Sequence, residues 1–149
     1  MLKTPHTYAQ WVIILEALKA KSDDQAVLEA LQAGTLEWQS GVAERFAQRL
    51  SDTLNCRMNQ AIDHFQKNLG HPSNNEGTII QALLALRKEM SFLTHAADLP
   101  AIPLSYRNRF TSLVRSQADK IQNSLEDSAK QDRTGKLSSI IRNHKINHY

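Results

Sequence analysis

Apolar residues recur every three or four positions along most of the chain, which is the spacing of amphipathic helices. The first predicted helix begins at Pro5, after Thr4 as N-cap, and ends near Lys21. The second follows Ser22, whose spacing to a glutamine three residues later matches a capping box, and it ends at Gly34. No alternating strand pattern competes with these helices.

The third helix is the longest, and its start depends on Gly41. With Thr35 as N-cap it covers about residues 36–69, whereas a break at Gly41 makes Ser40 the cap of a piece over about 41–69. The apolar stripe of the longer piece has a mean spacing of about 3.7 residues, which fits a nearly straight helix. We expect a helix of 30 or more residues, and part of it should project beyond its neighbours.

Two further helices are predicted, over about residues 78–97 and, with Ser105 as cap, to about residue 130. In the second of these, Phe110, Val114, Ile121 and Leu125 should face the core. Two prolines make the segment between the two helices, residues 98–104, an extended connector. After residue 130 the sequence is polar, with only short apolar clusters.

This order of elements predicts an all-α fold, an antiparallel bundle of four to five helices with one long helix and a basic C-terminal tail. A length of 149 residues fits one domain. We therefore assign residues 1–130 to a single helical-bundle domain and residues 131–149 to the tail. The tail is either flexible or docked as a short helix, in which case Leu137, Ile140 and Ile141 supply the apolar contacts.

The net charge of +3, from 18 basic and 15 acidic residues, is distributed unevenly. Residues 130–149 carry a net charge of +4, and the remainder of the chain is close to neutral. A basic tail of this kind can hold phosphates with salt-dependent affinity, or it can dock on an acidic partner. The candidate contacts are cations of the fifth helix and the tail: Arg107, Arg109, Arg115, Lys130, Arg133, Lys136, Arg142 and Lys145.

Motifs for chemistry are missing from the sequence. The six histidines form neither an HExxH nor a Glu-x-x-His motif, and His144 and His148 together are too few ligands for zinc. The lone Cys56 excludes an intrachain disulfide and a cysteine-cluster metal site, and no serine lies in a nucleophile motif. We expect no cofactor, no metal, no small-molecule substrate and no enzymatic activity.

Protein contact is the function that this pattern favours. Trp38 precedes the long helix, where a large aromatic side chain either caps the end of the bundle or anchors an interface. No signal peptide and no apolar stretch of membrane-spanning length is present, so we expect a cytoplasmic protein without membrane contact. The first hypothesis is a small non-enzymatic helical adaptor or regulatory module that self-associates, as a homodimer. The alternative is a nucleic-acid-associated protein that binds phosphates through the fifth helix and the tail.

Overall fold

The computed structural model describes residues 2–37, 40–69, 76–130 and 135–149. Every regular element in these ranges is a helix, which confirms the predicted all-α class. Six helices lie in the described ranges, one more than the upper end of the prediction, because part of the tail is helical. They are α1 (Tyr8–Ala20), α2 (Asp24–Ala33), α3 (Ser40–Leu69), α4 (Glu76–Ala97), α5 (Leu104–Ala129) and α6 (Lys136–Asn143).

The chain divides into two compact units. Unit 1 consists of Met1–Arg57 and Leu93–Ser112, and unit 2 consists of Met58–Phe92 and Leu113–Tyr149. The sequence of unit 1 contains eight basic and eight acidic residues, whereas that of unit 2 contains ten basic and seven acidic residues. The whole net charge of +3 therefore belongs to unit 2.

The core of unit 1 is organised around Trp11, which is fully buried. Its ring meets that of Phe46 edge to face, with the centroids 5.2 Å apart, and its Nε1 donates a hydrogen bond to the carbonyl of Thr35 at 2.8 Å. Apolar side chains from every helix of the unit complete this core: Ile14, Leu15, Leu18, Val27, Leu31, Leu50, Leu54, Leu93, Ile102 and Phe110.

The first two helices start later than the sequence predicts. α1 begins at Tyr8 because Thr7 and Gln10 form a capping box, and not at Pro5 with Thr4 as its cap. Pro5 is buried, and its carbonyl accepts a hydrogen bond from the Thr35 amide at 2.9 Å. Asp23 is the N-cap of α2, where its carboxylate accepts from the Ala26 amide, so the predicted Ser22 cap is wrong as well.

The prediction that the long helix covers about residues 36–69 is wrong at its start. α3 begins at Ser40, and residues 35–37 are not helical. The backbone of Thr35 is already bound to Pro5 and to Trp11, and these tertiary contacts hold the chain extended there. The start at Ser40 is close to the alternative prediction, in which the helix breaks at Gly41 and covers about residues 41–69.

Unit 2 has a smaller apolar core, and it includes the C-terminal segment. Val114 of α5 is buried as predicted, but Ile121 and Leu125 are only half-buried. The next buried positions of α5 are Ala118 and Gln122 instead. The other buried apolar side chains of the unit come from four parts of the chain: Met58, Phe65, Leu83, Leu86, Met90, Ala129, Ile140, Ile141 and Ile146.

Candidate functional site

The outer face of α1, which we define as Ala9, Ile13, Ala17 and Ala20, is apolar although it does not belong to the core. Steps of three and four residues place these side chains on one side of the helix. Ile13 is 63% exposed, and the two end alanines are exposed as well. The opposite side of α1 is also apolar and is buried in unit 1. Gln10 and Glu16, three residues before and after Ile13, lie at the edges of this face, so it is a narrow apolar strip on a helix whose other side is already in the core.

An open groove of about 780 Å³ lies beside this face, between α1 and α3 of unit 1. Its charged side chains are balanced in sign and partly paired within the groove. Glu16 accepts from Arg49 at 3.3 Å, and Gln48 donates to Asp52 at 2.9 Å. The remaining lining residues include one more acid and two more cations: Glu44, Lys19 and Arg45.

A buried arginine binds the start of α2. The guanidinium of Arg57 is 0% exposed, and it donates to both carboxylate oxygens of Asp24, at 2.8 and 3.0 Å. Its Nη1 also donates to the carbonyl of Leu18 at 3.2 Å. One side chain of α3 thereby joins the N-terminus of α2 to the C-terminal turn of α1. This arginine stabilises the fold rather than binding a ligand, because its guanidinium is enclosed by the protein.

The C-terminal segment, Gly135–Tyr149, lies antiparallel along α5 within unit 2. Near its start, Ser138 donates to the carbonyl of Ala129 at 3.2 Å. Near its end, the Asn147 side chain donates to Asp119 at 2.8 Å. Since residue numbers rise along the segment while they fall along α5, the two run in opposite directions.

Gln122 joins the middle of this segment to α5. Its side chain is 2% exposed; Oε1 accepts from the Ile146 amide at 3.1 Å, and Nε2 donates to the Ile141 carbonyl at 3.5 Å and to Glu126 at 3.1 Å. The amide therefore satisfies backbone groups on both sides of a turn in the segment. The tail is docked here as a short helix, with Leu137 half-buried and with Ile140 and Ile141 buried.

The predicted cations are divided between the two units. Arg107 and Arg109 belong to unit 1, where the Arg107 Nη1 is 3.7 Å from Asp98 Oδ1 and its Nε is buried without a hydrogen-bond partner. The other described candidates belong to unit 2, while Arg133 and Trp38 lie outside the described residues.

Within unit 2, the predicted cations lie on the docked segment or beside it. Arg115 lines a pocket of about 270 Å³ together with Asp119, Asn147 and Tyr149, so this part of α5 is close to the end of the segment. Four of the other candidates are solvent-exposed or half-buried: Lys130, Lys136, Arg142 and Lys145. Lys130 also lies 3.4 Å from Asp127.

A small apolar groove of about 160 Å³ also lies in unit 2, between α3 and α5. Ile121 and Leu125, which the sequence assigns to the core, form one wall, and Ile62 and Phe65 form the other. Ile121 and Leu125 are half-buried in this groove, whereas Gln122 of the same part of α5 is buried.

The described ranges contain neither a group of metal-binding side chains nor a helix that could span a membrane. No group of three or more histidine, cysteine, aspartate or glutamate side chains is arranged there to hold a metal ion. None of the helices in these ranges is both long enough and apolar enough to cross a lipid bilayer.

Sequence reasoning missed Arg57, Asp24, Gln122 and Ile146. A signal for Arg57 exists, because it lies three residues after Leu54 and beside Met58, within the apolar stripe of α3. A charged residue at such a position needs a partner, and an acid at the start of a nearby helix is a suitable one. No local pattern marks Gln122, because its role depends on residues about 20 positions further along the chain.

Comparison with known proteins gives no relative from which a function can be transferred. No protein-family model matches the chain, and no curated protein or solved structure shows significant similarity to it.

Proposed function

We propose that the protein is a non-enzymatic helical adaptor that acts through protein–protein contacts, and that the outer face of α1 binds a second copy of the chain. The observation that carries this proposal is the 63% exposure of Ile13 on a helix whose other side is already buried. Covering this side chain removes apolar surface from water, which is the main driving force of association.

The spacing of the outer face suits a helix that packs against its own copy. Ala9 and Ala17 lie four residues before and after Ile13, so small side chains flank one large side chain. In an antiparallel pair with its two-fold axis at Ile13, Ala9 faces the Ala17 of the other copy. The alanines then leave room for the isoleucines, and the helices can approach to 8–10 Å, the usual interaxial distance.

The charges near the face favour association of identical copies. Unit 1 contains as many acidic as basic residues, so two copies of this surface do not repel one another. The groove beside α1 offers three acids and three cations, which are Glu16, Glu44 and Asp52 and Lys19, Arg45 and Arg49. In an isologous contact each acid of one copy can therefore meet a cation of the other.

The size of the face limits the affinity. A helix of 13 residues is about 20 Å long, so its outer face is much smaller than the roughly 800 Å² per partner of a standard interface. The interface must include the rim of the neighbouring groove, and it belongs to the small, transient class. We expect a dimer that dissociates on dilution.

Sedimentation velocity over a concentration series tests the proposal with a matched pair of variants. Ile13→Glu places a charge at the centre of the face and is expected to make the protein monomeric at every concentration. Leu104→Glu is the control, because Leu104 is 61% exposed in the same unit but lies on α5. This control should keep the concentration dependence of the unmodified chain. A chain that stays monomeric throughout, or an Ile13→Glu variant that still dimerises, refutes self-association through α1.

Disulfide trapping tests the geometry itself. In a Cys56→Ser background, Ile13→Cys should form an intermolecular disulfide on mild oxidation, because two residues at the axis bring their Cα atoms within the roughly 7 Å that a disulfide requires. Leu104→Cys in the same background should form far less. Equal cross-linking of the two variants would indicate random collision and contradict the antiparallel arrangement.

A further inference from the structure

We infer that unit 2 binds the phosphate backbone of double-stranded nucleic acid through the ridge formed by α5 and the docked C-terminal segment. This ridge is defined by Arg115 of α5, by Lys130 directly after α5, and by Lys136, Arg142 and Lys145 of the segment. It uses residues of unit 2 only, so it does not depend on self-association through α1.

Docking is what brings the two sets of cations together. The contacts of Ser138 with Ala129 and of Asn147 with Asp119 align the segment with α5 over its whole length. Four of the five cations are exposed to solvent, and Lys145 is half-buried. The ridge therefore brings positive charges close together that lie far apart in the sequence.

The acidic side chains of the ridge cancel part of this charge, but the cations outnumber them. Asp119 accepts from Asn147, Glu126 accepts from Gln122, and Asp127 lies 3.4 Å from Lys130. Five described cations thus stand against three acids, which leaves a net charge of +2 on the described part of the ridge. Asp132 and Arg133, which lie outside the described residues, have opposite charges and leave the balance unchanged.

The length and chemistry of the ridge fit a phosphate backbone. Residues 115–130 span about 22 Å at 1.5 Å per residue, and one strand of duplex DNA places a phosphate every 3.4 Å along its axis. About six phosphates of one strand therefore lie within reach. Tyr149 is the only aromatic residue between Leu113 and the end of the sequence, so stacking on unpaired bases has little support here. Binding through phosphates alone is independent of base sequence.

A titration of the full chain with a labelled duplex of random sequence tests this inference at several salt concentrations. With about five phosphate contacts, the affinity should fall roughly 10²- to 10³-fold between 50 and 200 mM salt. The triple variant Arg115→Gln, Arg142→Gln, Lys145→Gln should bind roughly 10²-fold more weakly at 0.1 M salt, and its salt slope should be smaller by about three.

The matched control removes three cations elsewhere. Lys3→Gln, Lys67→Gln and Lys88→Gln change exposed positions of the N-terminal segment, α3 and α4, and this triple variant has the same net charge as the first. It should keep most of the affinity and the full salt slope. Circular dichroism before each titration verifies that both variants retain their helix content.

Three results overturn the inference. One is the absence of duplex binding at 50 mM salt. Another is an equal loss of affinity in the two triple variants, which would indicate a response to net charge rather than to the ridge. The third is binding to vesicles that contain phosphatidylserine without binding to duplex, which would assign the ridge to a membrane surface instead.

Discussion

Arg57 and Asp24 form a bidentate ion pair in which the two partners have very different surroundings. The guanidinium is fully buried, whereas the carboxylate side chain is 39% exposed. The same guanidinium also binds the carbonyl of Leu18, so three helices of unit 1 meet at one charged group. The structure therefore depends on the acid more than on the base, because the acid compensates a charge that has no access to water.

Removal of the acid should thus be more costly than removal of the base. Asp24→Ala leaves the Arg57 guanidinium buried without its carboxylate and should lower the free energy of unfolding by about 2–4 kcal/mol. Arg57→Met leaves an acid that water can reach and fills the same space, so it should cost only about 1–2 kcal/mol. Urea unfolding of both variants and of the double variant measures this difference and the coupling energy.

The neighbouring Asp23 gives a control for these variants. As the N-cap of α2 it accepts one backbone hydrogen bond and has no part in the ion pair described above, so Asp23→Ala should cost about 1 kcal/mol. If Asp24→Ala costs no more than Asp23→Ala, the pair contributes nothing beyond its position at a helix start.

Gly34 is required by close packing rather than by backbone conformation. Its φ of −69° is open to any residue, but a Cβ would lie 2.7 Å from Cζ2 of Trp11 and 2.9 Å from Cγ of Pro5. Gly34→Ala should therefore destabilise the protein by about 1–3 kcal/mol. Gly41→Ala is the matched control, because a Cβ there meets nothing within 4 Å and alanine favours helix, so stability should rise by up to about 1 kcal/mol.

Thermal unfolding followed by circular dichroism compares the two glycine variants. Opposite shifts of the midpoint are expected, downward for position 34 and upward for position 41. Equal shifts in the same direction would show that helix propensity, and not the contact with Trp11, decides the outcome at position 34.

Trp11 should be sensitive even to a conservative change. Trp11→Phe removes the hydrogen bond to the Thr35 carbonyl and leaves a cavity beside Phe46, and we expect a loss of about 2–4 kcal/mol in the free energy of unfolding. Hydrogen exchange provides the specific readout, because the Thr35 amide bonds the Pro5 carbonyl and should lose protection along with the rest of this junction. A variant that loses global stability but keeps slow exchange at Thr35 would contradict the link between the ring and the junction.

Local pattern was sufficient to predict the class of fold and the ends of several helices. The end of α2 at Gly34 and the absence of helix over residues 98–103 both follow from residues that break helices. The start of α1 was mispredicted although its signal is local, because the capping box of Thr7 and Gln10 competes with the signal of Thr4 and Pro5. The start of α3 was mispredicted because Thr35 is held by contacts with Pro5 and Trp11, which are far from it in the sequence. Propensity yields to tertiary contacts of this kind.

The sequence predicted which types of residue the candidate sites contain but not how these residues are arranged. The excess of cations near the C-terminus is visible in the sequence, but the alignment of these residues along α5 rests on Gln122, Ser138 and Asn147. None of these polar residues belongs to a recognisable motif. The apolar outer face of α1 was likewise absent from the prediction, because periodicity indicates which side of a helix is buried and says little about the other side.

Gln122 should control whether the C-terminal segment stays docked. Gln122→Leu has nearly the same size but leaves the Ile146 amide and the Ile141 carbonyl without their side-chain partner, at a cost of about 1–3 kcal/mol. We expect faster hydrogen exchange and earlier proteolysis over residues 135–149, while the helices of unit 1 keep their protection. Asn123→Leu, at the exposed neighbouring position, is the control and should leave the segment protected. Unchanged exchange in the Gln122→Leu variant would mean that Ile140, Ile141 and Ile146 hold the segment by apolar contact alone.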